Sequence, residues 1–77
     1  MNNNYLTFLS YLLTQLLGYI ECDDLISTSR KREEVNKIKT LLKRCNLEEH
    51  YRHIIDKTLH YISIEEAEDN YEKENKH

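Results

Sequence analysis

The sequence predicts an all-α protein, a small three-helix bundle, and three observations carry that expectation. The chain has no proline and a single glycine, Gly18, so it lacks the turn formers that a sandwich or barrel needs at each hairpin. Apolar residues recur at helical spacing along three successive segments. Hydrophobic residues make up 39% of the chain and charged residues 32%, a balance suited to a folded helical protein rather than a disordered one. Seventy-seven residues make one domain. A chain of that size buries only about 60% of its unfolded surface, so self-association is a natural way to complete or extend the bundle.

The first helix is expected over 4–21. On a helical wheel Phe8, Tyr19, Leu12, Tyr5, Leu16, Leu9, Ile20, Leu13, Leu6 and Leu17 share one half. Ser10, Thr14, Thr7, Gly18, Tyr11 and Gln15 take the other. Within the apolar half, Leu6, Leu9, Leu13, Leu16 and Ile20 step by three and four, the seam of a coiled coil or bundle. Asp23, Asp24 and Ser27-Thr28-Ser29 then supply loop and capping chemistry, with Leu25 and Ile26 expected to tuck onto the core.

The second helix is expected over 30–45, on a narrower stripe of Val35, Ile38, Leu41, Leu42 and Cys45. Asn46 followed by Glu49 has the logic of a capping box, which starts the third helix at Leu47 and carries it over 47–63. Leu47, Tyr51, Ile54, Ile55, Thr58, Leu59, Tyr61 and Ile62 share its apolar face. Ile64 falls off that face, and Ser63-Ile64-Glu65-Glu66 offers a second capping box. Either the third helix runs on and frays, or a short fourth helix begins near Ile64 and carries Ala67 and Tyr71. The domain is thus read as 1–69, with 70–77 a polar, disordered tail.

Compartment follows from the cysteines and the uncharged start. Cys22 and Cys45 are too few for a disulfide scaffold and fall near the ends of successive antiparallel helices, so they cannot bridge. The stretch before Glu21 bears no charged side chain, but it has no basic lead-in and is interrupted by Thr7, Ser10, Thr14 and Gln15. It reads as neither a signal peptide nor a membrane span, and a cytoplasmic protein is expected. The abundance of Asn, Lys, Ile, Glu and Tyr resembles that of proteins from AT-rich genomes, phages and plasmids among them.

Three constellations could carry function. The first is the apolar half of the first helix, with Tyr5, Phe8, Leu9, Leu12, Leu13, Leu16 and Tyr19 as candidate partner-binding residues. That face is wider than one helix–helix contact uses. Either the other two helices cover it, or it is shared with a second copy or a larger protein. Tyr5, Phe8, Leu12 and Tyr19 line one edge, and aromatic anchors of this kind are frequent in interface cores.

The second is the basic stretch Arg30, Lys31, Arg32, Lys37, Lys39, Lys43 and Arg44, set against Glu33 and Glu34. Three cations at a helix start oppose the macrodipole, a mismatch that a phosphate backbone or an acidic partner would relieve. A neutraliser inside the chain is also available, because Glu65, Glu66, Glu68, Asp69, Glu72 and Glu74 outnumber Lys73 and Lys76.

The third is a stripe on the third helix. Glu49, His53, Asp56 and His60 step by four, three and four and stack along one side. Such a set can bind zinc, although HExxH and paired ExxH signatures are absent and matching ligands would have to come from a second copy.

No Gly-rich phosphate loop, nucleophile elbow or zinc-finger spacing is present, and Cys45 lies on an apolar stripe where a buried, inert thiol is expected. The sequence therefore calls for no cofactor and no enzyme. It predicts an interaction or regulatory module, an adaptor or inhibitor that docks on a larger protein or on itself. Nucleic-acid binding by the second helix is the alternative, and a metal-linked dimer a lower one.

Overall fold

The computed structural model describes the backbone of residues 3–75 and the side chains of residues 4–71. Three helices, α1 (Asn3–Cys22), α2 (Thr28–Arg44) and α3 (Glu48–Asn75), make up an all-α bundle, with no strand among the described residues.

The connection between α1 and α2 is built from short polar side chains. Asp23 Oδ1 accepts from the Leu25 amide at 2.9 Å, an Asx turn that bends the chain out of α1. Ser27 then caps α2, its Oγ accepting from the Arg30 amide at 3.2 Å. Ile26 is half-buried, whereas Leu25 is left 95% exposed, so only one of the two apolar loop residues is partly withdrawn from solvent.

At the other end, Asn46 does not cap α3. It closes α2 in the left-handed region, at φ 59°, which Asn tolerates better than other residues with a side chain. Its amide donates to Lys43 O at 3.1 Å and that of Leu47 donates to Leu42 O at 2.8 Å, the paired bonds of a Schellman motif. Leu47 therefore lies outside the helix, and α3 begins at Glu48.

α3 then runs to Asn75 without a break, so there is no fourth helix among the described residues, and residues 70–75 of the expected tail are helical; residues 76–77 lie outside the described residues. The hydroxyl of Ser63 does not act as a cap. It donates back to Leu59 O at 3.0 Å inside the helix, and Glu65 and Glu66, instead of closing a capping box, are drawn to α2.

Two polar ties fix the topology. Tyr51 Oη donates to Leu6 O at 2.9 Å, joining the starts of α1 and α3. Lys31 Nζ donates to Glu21 O at 2.7 Å and to both oxygens of Glu65, at 2.9 and 3.1 Å, joining the end of α1, the start of α2 and the middle of α3. Hence α1 and α3 run parallel to each other and α2 runs antiparallel to both.

The core is Leu13, Leu17 and Ile20 from α1, Val35 and Leu42 from α2, and Tyr51, Ile55 and Ile62 from α3. Leu9, Ile38, Leu47, Ile54 and Leu59 pack around it. Buried Thr58 satisfies its hydroxyl on Ile54 O at 3.1 Å. Leu41, Tyr61 and Cys45, all expected on the inner stripes, face solvent instead.

A candidate interaction surface on the first helix

The structure splits the apolar half of α1 into two adjacent arcs of roughly 80° each. Leu13, Leu17 and Ile20 are no more than 9% exposed, and Leu6 and Leu9 beside them are half-buried. On the other arc Tyr5, Phe8, Leu12, Leu16 and Tyr19 are 45–76% exposed. Of the seven residues expected to bind a partner, five therefore form one open stripe, while Leu13 and, in part, Leu9 serve the chain's own core.

The cause is geometric. Two neighbouring helices set side by side reach a limited sector of a third, and the two polar ties hold α1 with its Leu9–Leu17 arc inward. Nothing among the described residues approaches the remaining arc closely enough to bury it. The stripe is also uncharged: between Asn3 and Ile20 no residue of α1 is acidic or basic. Tyr11, itself exposed, and Gln15 lie at its border.

The basic stretch of α2 is taken apart by the fold. Lys31 is 1% exposed and held in the three-way tie with Glu21 and Glu65. Arg32 donates to Glu66 and to Ser63 Oγ. Glu34 receives both Arg30, at 3.2 Å, and Lys37, at 3.4 Å. The mismatch with the macrodipole at the start of α2 is thus relieved from within the chain, by α3 for Lys31 and Arg32 and by Glu34 for Arg30. Lys39, Lys43 and Arg44 make no ion pair among the described residues; Lys43 and Arg44 sit in the last turn of α2, where the helix dipole favours cations.

The histidine stripe of α3 faces solvent. Glu49, His53, Asp56 and His60 are all exposed, and Glu49 pairs with Arg52 at 2.7 Å. Among the described residues no group of three or more His, Cys, Asp or Glu side chains is gathered closely enough to hold a metal ion. Cys22 and Cys45 are free and exposed, so Cys45 is not the buried thiol expected of its stripe. It stands at the C-cap of α2, one position beyond the packed face. Among the described residues no helix is long and apolar enough to cross a membrane.

The cleft between α1 and α3 is lined by Thr14, Leu17, Gly18, His53, Lys57 and Tyr61 and has a volume near 240 Å³.

Sequence reasoning missed the burial of Lys31, although a signal for it was present. Lys31, Val35, Ile38 and Leu42 step by four, three and four, so Lys31 stands on the packed stripe one turn before Val35. A lysine at a core position needs a carboxylate, and the acidic run after Ser63 supplies it.

No family model, curated protein or solved structure matches this chain.

Proposed function

We propose that this chain is a non-enzymatic protein-binding module, an adaptor or inhibitor that docks through the open stripe of α1. The observation that carries this reading is the stripe itself: Tyr5, Phe8, Leu12, Leu16 and Tyr19, uncharged and exposed along four turns of one rigid helix. Contiguous exposed apolar surface of that extent marks interaction sites on soluble proteins. At about 25 cal/mol per Å² of apolar surface covered, burying it would contribute on the order of 10 kcal/mol before the costs of association.

The mechanism is steric. Two tyrosines and a phenylalanine supply broad, rigid contact at low entropic cost, and the tyrosine hydroxyls keep polar atoms at the rim. The charged side of α2, with Arg30, Glu34 and Lys37, sets orientation rather than affinity. Two free, exposed cysteines suit a reducing compartment such as the cytoplasm.

A photo-crosslinking residue placed at position 8, 12 or 19 in cells of the native host tests the reading. Protein adducts should form from these positions and be absent from positions 53 and 60 on the solvent face of α3. Adducts to nucleic acid alone, or equal protein capture from both faces, would overturn it in favour of the basic helix or of non-specific contact.

A further inference from the structure

We infer that the occupant of the α1 stripe is a second copy of this chain, paired antiparallel about a two-fold axis at Leu12; the inference rests on the docking role proposed above and names its partner. Counted from Leu12, Phe8 and Leu16 lie four residues to either side, and Tyr5 and Tyr19 seven to either side. The exposed stripe is therefore symmetric in spacing about Leu12, with a tyrosine at each end and Phe8 on one side answering to Leu16 on the other.

A two-fold contact is isologous: one patch must fit itself after rotation. Antiparallel pairing meets that demand here. Leu12 meets the partner's Leu12 on the axis, Phe8 meets the partner's Leu16, and Tyr5 meets the partner's Tyr19. Its steps of three, four, four and three average 3.5 residues, the period at which two helices stay in register at a shallow crossing.

Electrostatics agree. A face with no charged residue brings no like charges together when it meets itself, whereas a charged partner would find no complement on it. Antiparallel alignment also sets each helix dipole against the opposite pole of the other. The stripe offers on the order of 600 Å² per protomer, or ~1,200 Å² in all, which is at the lower edge of stable interfaces. An area of that size fits a transient dimer rather than an obligate one.

The test uses the full chain. Sedimentation across a concentration series should show a reversible monomer–dimer equilibrium, and Leu12→Asp should weaken it by about a hundredfold while leaving the helical circular dichroism intact. Orientation is read by cysteine pairing in a Cys22→Ser/Cys45→Ser background. Leu12→Cys should oxidise to a linked dimer by itself. Tyr5→Cys should link only when mixed with Tyr19→Cys. Self-linking of Tyr5→Cys would show a parallel pair and overturn the geometry. A monomer at every concentration would overturn the second copy as occupant. In that event, protein adducts from positions 8 and 12 would leave the docking face standing with another partner, and their absence would remove both.

Discussion

The two halves of α1 have the same chemistry and different fates. Leu9, Leu13, Leu17 and Ile20 on one arc, and Phe8, Leu12, Leu16 and Tyr19 on the next, are apolar side chains of one helix, yet only the first set packs within the chain. The difference teaches that amphipathic period counts apolar residues, whereas burial counts neighbours. Two helices can cover about half of an apolar face this wide. The Tyr51–Leu6 and Lys31–Glu21 bonds decide which half it is.

The sharpest contrast lies in stability. Leu17 is 1% exposed, so Leu17→Ala should cost about 3 kcal/mol. That is a large part of the ~4–11 kcal/mol expected for a domain of this length. Phe8→Ala, on the open arc, should move the urea midpoint of the dilute protein by less than about 0.5 kcal/mol equivalent. Equal losses from the two would erase the distinction between the arcs.

Next in size is the tie that clamps the end of α1. Lys31→Ala leaves Glu65 beside the core without its cation, and thermal unfolding should show a loss of about 2 kcal/mol, moderated because the Glu65 side chain is 36% exposed. Lys31→Met with Glu65→Leu should recover most of it, since replacing both partners removes the stranded charge. If the double change is as damaging as Lys31→Ala, the tie acts through more than this ion pair.

Tyr51→Phe removes only the hydroxyl that holds Leu6 O at the start of α1, and about 1 kcal/mol should be lost in denaturant melts. The last effect is a gain. Gly18 lies in the polar half of α1, where an added Cβ would meet nothing within 4 Å, so Gly18→Ala should stabilise by about 0.5–1 kcal/mol. A loss there would mean that the glycine is needed for a contact beyond the isolated chain.

Much of this architecture was legible in the sequence, because helical period is a local property. The three apolar runs appear as helices, and the expected span of α1 differs from the observed one by a residue at each end. What escaped depends on groups distant in sequence. Asn46 serves equally well at a helix start or end, and the choice falls to α2 because its last carbonyls are satisfied by Asn46 and Leu47. Ser63 and Glu66 spell a capping box, but the arginine and lysine of α2 claim Glu65 and Glu66 and the helix continues. The candidate interaction face was legible as apolar residues and illegible as a surface. Leu12 and Leu13 are alike in the sequence until two other helices are packed against one of them.

Those neighbouring leucines offer the most direct measurement. Leu12→Asp and Leu13→Asp should each be followed by circular dichroism melts and by sedimentation. A docking arc beside a core arc predicts that Leu12→Asp stays folded and loses association, while Leu13→Asp loses the fold itself. Unfolding by Leu12→Asp, or a native-like melt for Leu13→Asp, would contradict the division of α1 on which the account rests.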